Sequence, residues 1–277
     1  MTICISALCE RENEDGDKEE AVVIATDKMI TQEGLGSFEH PTLTKFRELD
    51  NGCVLLLAGN PLIFRKVLDK KQLTSDDYEE TSEDIFEAMQ EIREDEIERE
   101  VLQPMGLEKK GGIDTVGQQA VQNNGIWDYV AGQTQKSEVL RWVQEKLVNY
   151  NLETELLLVG FKSDNAQITQ ISDRNYNHVR DINYSVIGSG SVQASNSMLF
   201  QKHSKETNIE EALFNVFKSK KRAEVHQGVG EKTDLYVLTQ SNGLQKLEKE
   251  DKEKLEDIYD DELEFGKKDE RLEDLSI

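Results

Sequence analysis

Removal of Met1 would make the threonine at position 2 chemically distinctive, because one residue would then carry both a hydroxyl and a free α-amine. An α-amine with a pKa of about 7.7–8.0 is largely protonated at neutral pH yet close enough to accept a proton, and a terminal Thr is a known activated nucleophile. Small second residues permit that removal, so aminopeptidase action alone is expected to expose Thr2. Two further groups belong with it: Asp27, which closes the run AVVIATD, and Lys45, inside LTKFREL. Each has a plainer reading taken singly. Met-Thr is a common opening, an Asp after a strand usually forms a turn, and a Lys in a short strand usually faces solvent.

The elements that would position these residues are legible as hydrophobic periodicity. TICISALC and AVVIAT read as buried strands flanking ERENEDGDKEE, a long charged hairpin tip with Gly16 at its turn. LTKFREL and CVLLLAG follow, separated by the turn Asp50-Asn51-Gly52, so that Thr2, Asp27 and Lys45 are expected at the ends of consecutive strands of one antiparallel sheet. CVLLLAG is apolar on both faces and is expected to be covered on both. PLIFRKVLDKK is a short helix with Pro61 in its first turn, and Ser82 is read as opening a long amphipathic helix that ends before Pro104. The stretch 105–135 is rich in Gly, Gln and Asn and reads as a loop or insertion, followed by the helix SEVLRWVQEKLVNY. ELLLVGF, AQITQIS and NYSVIGSG form a second block of strands, GSGSVQASNSMLF runs through a glycine turn into a helix, and NIEEALFNVFKSKKRAEV is another. TDLYVLT and LQKLE close as a hairpin around Ser241-Asn242-Gly243, and beyond Glu250 the chain is a charged helix or tail. Strands, helices, strands, helices, strands in that order suit two antiparallel sheets packed together with helices outside.

Composition narrows the partners. Of the 277 residues, 56 are acidic and 33 basic, a net charge of −23 that repels nucleic-acid phosphates and anionic membranes. Proteins, peptides or small molecules remain. The acidity is concentrated in 76–108 and 248–274, two segments read as peripheral. Cys4, Cys9 and Cys53 form no metal-ligand spacing and sit in apolar runs, as reduced thiols of a cytoplasmic protein would. No basic segment leads into an apolar one at the start, and no run has the length of a membrane span. His40, His178, His203 and His226 are scattered, so no metal and no cofactor are assigned.

With these residues in view, the chain resembles the N-terminal-nucleophile (Ntn) hydrolases, specifically the proteasome β-subunit and HslV group. TICISALC, VVIATDKMIT, LTKFRELDNGCVLLLAG and VIGSGSVQAS carry the resemblance by their order and spacing. It implies an α+β fold, a four-layer αββα sandwich over 2–250; the helical insertion at about 75–150 and the acidic C-terminal extension at 251–277 are foreign to the family's minimal subunit. It further implies a threonine-type peptidase or amidohydrolase that acts on a peptide or protein as a homo-oligomer, with an ATPase or regulatory partner left open. Thr2 would attack an amide carbonyl to give an acyl ester, Lys45 would stand beside its hydroxyl, and Asp27 would hold Lys45. Gly59 would supply the backbone N–H of an oxyanion hole, and Ser189 would orient the α-amine and a water. By themselves, Gly59 ends an apolar strand and GSGS is an ordinary glycine turn at a helix start. The pattern departs from the family at Met29, where Arg is common, and at His226 and Val229, where an Asp and a Ser would support the amine. Two alternatives stay open: an inactive scaffold or assembly module of the same fold, and an amidase or acyl transferase acting on a small amide.

Overall fold

The computed structural model describes residues 3–12, 16–32, 36–39, 44–70, 75, 77–105, 136–179 and 181–265. Alternation along the strands sorts their side chains onto two faces. Strands β1 (Ile3–Glu12), β2 (Lys18–Asp27), β10 (Tyr184–Gly188), β11 (Thr233–Thr239) and β12 (Gly243–Lys246) form an antiparallel sheet in the order β10-β1-β2-β11-β12. Strands β5 (Phe46–Glu48), β6 (Val54–Ala58), β7 (Glu155–Lys162), β8 (Asn165–Ile171) and β9 (Tyr176–His178) form a second, in sequence order. A hairpin of β3 (Met29–Gln32) and β4 (Gly36–Glu39) forms a two-stranded sheet of its own.

Even-numbered apolar residues of the first sheet, Cys4, Leu8, Val22 and Ile24, pack with Val54, Leu56, Leu157 and Val159 of the second. The odd-numbered set, Ile3, Ile5, Val23 and Ala25, faces the other way. It meets Met198 of helix α4 (Ser191–Phe200) and Val216 and Phe217 of helix α5 (Ile209–Ala223). Leu55, Leu57, Leu156 and Leu158 face Ile63 and Val67 of helix α1 (Pro61–Lys70), with Ile85, Met89 and Ile92 of helix α2 (Tyr78–Ile97). Each fully buried aliphatic side chain contributes about 1.5–3 kcal/mol, so these three clusters account for the fold. Helices α3 (Lys136–Asn149) and α6 (Lys249–Phe265) complete six α-helices among the described residues.

Polar ties cross between the sheets. Asp27 of the first sheet pairs with Lys45, which precedes the second. The Cys4 thiol donates to the Leu57 carbonyl (3.2 Å), and the Ala166 amide donates to the Glu20 carboxylate (2.7 Å). The Gly188 amide donates to the Glu155 carboxylate (3.2 Å).

Three expectations are corrected. Lys45 does not share a sheet with Asp27: Phe46–Glu48 pairs with Val54–Ala58, whose other neighbour is Glu155–Lys162, because a strand apolar on both faces needs cover on both. Helix α2 starts at Tyr78, capped by Asp77, whose carboxylate accepts from the amides of Glu79 and Glu80. Ser82 lies inside it, and its hydroxyl donates to the Glu79 carbonyl (2.7 Å), which removes the need for a cap there. The charged hairpin tip is shorter than its composition implied, since pairing continues to Glu12 and Lys18 through Arg11–Glu19 and Lys18–Glu10 ion pairs. The loop read at 106–135 lies outside the described residues. Helix α2 buries its apolar face in the second sheet's outer cluster while most of its acidic residues are exposed, and Leu255 and Tyr259 of α6 pack on the first sheet's outer cluster. No helix among the described residues is long and apolar enough to cross a membrane.

One buried group makes stability depend on pH. His203 is 7% exposed, its Nε2 2.8 Å from the Leu8 carbonyl. Burial lowers its pKa, with the Leu8 hydrogen bond and Glu211 opposing. The unfolded chain therefore binds the extra proton first, and stability falls as pH drops below about 6.5. Denaturant midpoints measured at pH values from about 7.5 to about 5.5 are expected to fall more steeply for the wild type than for His203→Gln. Equal slopes would remove His203 from this account.

Candidate active site

Strand β2 ends at Asp27, and pairing of β1 with β2 and β10 brings the start of β1 beside it. Asp27 is buried, with no side-chain exposure, and its carboxylate is fully engaged. Its Oδ1 accepts from the Ile3 amide (3.1 Å) and from Lys45 Nζ (2.5 Å), and its Oδ2 accepts from the Gly230 amide (2.8 Å). Lys45 is 5% exposed, and its carbonyl accepts from the Leu57 amide (2.8 Å), which ties it to β6. A buried ion pair of this kind is held by geometry and by the hydrogen bonds around it, because desolvation cancels much of its Coulomb gain. Cys4 stands next to the pair. Burial pushes its thiol up to about 12, with Lys45 opposing and Asp27 adding, so it is a neutral hydrogen-bond donor.

Thr2 lies outside the described residues; Ile3, the residue after it, is where the described chain meets Asp27. Ser189 follows β10 and precedes α4, next to Gly188, which pairs with Ile3. The turn is pinned at Gly190, where an added Cβ would meet Val229 Cγ2 at 2.6 Å and Ile3 Cδ1 at 3.1 Å.

Gly59 follows β6 with φ +115°, a conformation that L side chains rarely adopt. It packs against the backbone of Glu153 and Thr154. Gly59 and Ser189 both line a cavity of about 990 Å³, together with Asn60, Thr154, Glu155 and Arg174. The structure thus joins Asp27 and Lys45 directly, sets Ser189 beside the strand that begins at Ile3, and puts Gly59 and Ser189 on one cavity.

Two participants escaped the sequence reading. Gly230 reaches Asp27 through its backbone, which leaves no side-chain signal. Lys220, a wholly buried lysine on α5, donates to the Gly230 carbonyl (2.6 Å). Its signal was spacing: it stands four residues after Val216 and three before Ala223, on the apolar face of the helix. Val229 is core, packed on Gly190, and His226 Nδ1 accepts from the Gly228 amide (3.2 Å). Among the described residues no cluster of three or more His, Cys, Asp or Glu is placed to hold a metal ion.

No protein-family model and no curated protein matches the chain. Its structure is similar to that of a Gly-1 mutant of Anbu from Hyphomicrobium sp. strain MC1, with a TM-score of 0.56 and 14% identity, over 96% of this chain and 97% of that one. At that identity the likeness carries the fold alone. It corrects the family named from the sequence: the chain is not placed with proteasome β-subunits or HslV, and what stands is an α+β fold shared with Anbu.

Proposed function

We propose that this protein is a proteasome-like threonine-type hydrolase that cleaves amide bonds of a peptide or protein through an acyl-enzyme on Thr2 once Met1 is gone. One observation carries the reading: a single buried carboxylate, Asp27, holds both the amide of the residue following Thr2 and the ammonium of Lys45. The lysine is thereby fixed close to the chain segment that bears the nucleophile.

As a partner in an ion pair, Lys45 offers a positive field to the developing alkoxide rather than a lone pair, which leaves the Thr2 α-amine as proton acceptor. The Thr2 hydroxyl adds to the amide carbonyl, its proton passes by way of the α-amine to the leaving amine, and water then hydrolyses the ester. Gly59 is assigned the oxyanion N–H and Ser189 the positioning of amine and water. The cavity that both line would receive the substrate. The packing of helices on the outer faces of two apposed sheets supports reading the whole as a four-layer αββα sandwich.

The test is the intact mass of protein with a native N-terminus, before and after exposure to a β-lactone. Loss of Met1 with one adduct mapped to Thr2, absent in Thr2→Ala, is the expected result. A processed terminus that never labels would overturn the enzymatic reading and leave a module kept for assembly. Sedimentation of the same sample reads the homo-oligomer this function implies; monomer alone at micromolar concentration would remove it.

A further inference from the structure

Among the described residues, the bulkiest side chain with no solvent exposure is not an aliphatic one but Lys220. Its ammonium has three protons and three acceptors: the carbonyls of Gly230 (2.6 Å) and Glu231 (2.8 Å) and the Glu224 carboxylate (2.6 Å). Burial lowers its pKa; Glu224 and, beyond it, Asp27 oppose that shift, while Lys221 adds to it. Taking an ammonium out of water costs several kcal/mol, and an apolar side chain of similar volume would fill the same space without that cost. The arrangement therefore needs a reason other than packing.

The reason lies in what the two carbonyls are attached to. Gly230 faces both ways: its carbonyl accepts from Lys220, and its amide donates to Asp27 Oδ2 at 2.8 Å. The other oxygen of Asp27 takes Lys45 and the Ile3 amide. Lys220, Gly230, Asp27 and Lys45 form one unbroken line of contacts from helix α5 to the second sheet. We propose that Lys220 is a positioning residue of the Thr2 site, whose ammonium grips the 230–231 backbone so that the Gly230 amide stays on Asp27 and fixes the carboxylate that orients Lys45. The assignment rests on the reading of Thr2 as nucleophile for its functional consequence, and on the structure alone for the coupling of Lys220 to Asp27.

The two are separated by experiment on the full chain. Lys220→Met is compared with Lys221→Met, which removes a neighbouring, partly exposed ion pair with Glu256 and a longer one (3.7 Å) with Glu224 but leaves the Lys220 ammonium on its three acceptors. Amide exchange is followed by NMR at Gly230, with Val23 and Leu235 as internal references, and β-lactone acylation is resolved into binding and the rate at saturation. In Lys220→Met, exchange at Gly230 is expected to rise about tenfold or more, as for the loss of a hydrogen bond to a charged group, while the references hold. The saturating acylation rate falls by a similar factor with reagent binding unchanged; Lys221→Met alters neither. A merely structural lysine would reduce the amount of folded protein, not the rate per folded site. Gly230 protection equal to the wild type would overturn the proposal whatever the acylation does. A wild type that never labels would sink the Thr2 reading and leave the exchange result to decide the coupling. If Lys220→Met does not fold, Lys220→Gln is read in the same way.

Discussion

Lys45→Met is expected to destabilise the fold by about 3 kcal/mol and to abolish labelling at Thr2. Removing one partner of a buried ion pair strands the other, at a typical cost of about 3–5 kcal/mol, and Asp27 has no side-chain exposure through which water could compensate. The two amides from Ile3 and Gly230 still satisfy part of the carboxylate, which sets the expectation at the lower end of that range. Urea unfolding measures the loss. The double variant Asp27→Asn/Lys45→Met should recover part of the stability, since no unpaired charge remains, but none of the labelling. A Lys45→Met protein as stable as the wild type would contradict the burial argument, and one that still labels at the normal rate would contradict the role given to Lys45.

Gly59→Val is expected to cost about 3 kcal/mol or more, from left-handed backbone strain plus displacement of neighbouring backbone. A Cβ at this position would lie 2.1 Å from the Glu153 carbonyl oxygen and 2.8 Å from Thr154 Cα. Neither is the far end of a flexible side chain, so the segment that leads into β7 must move, together with the Asn60 amide's bond to Thr154 Oγ1 (3.3 Å). That segment is also a wall of the cavity, so loss of stability and loss of any activity are expected together. Gly52→Ala supplies the comparison: φ there is +77° with nothing within 4 Å of the added atom, so strain alone applies, about 1 kcal/mol. Thermal denaturation of the two variants should separate these costs. Equal losses would show that the contact with Glu153 is relieved without a shift of the backbone.

The positions of most strands and helices were legible because period-2 and period-3.6 patterns are local. TICISALC and AVVIAT are paired strands, and NIEEALFNVFKSKKRAEV is a helix capped by Asn208. Which sheet a strand joins is not local. Nothing within LTKFREL says that its neighbour pairs with Glu155–Lys162 about a hundred residues later, and so Lys45 was placed on the wrong sheet. Tyr176–His178 was too short to show a period at all. Within the site, Asp27 and Lys45 were found through the order of motifs, and they do meet. Gly230 was invisible because it acts through its backbone, and Lys220 was hidden among KSKK, where a cluster of basic residues near a helix C-terminus has a ready explanation in the helix dipole. The departure at Val229 gains a physical sense here: the side chain fills core beside Gly190, while the next residue's amide reaches the carboxylate.

The ties between the sheets bear on how a signal from outside could reach the site. Glu20 with Ala166, Glu155 with Gly188, Cys4 with Leu57 and Asp27 with Lys45 are spread over three strands of each sheet along their shared interface. A sliding step of one sheet over the other would have to break them together, while the interdigitated side chains between them resist any intermediate offset. The interface therefore behaves as a latch rather than a spring. For a partner docking on α5, the contact line that leads inward runs through the 224–232 turn to Asp27, and one buried ammonium sits on that route.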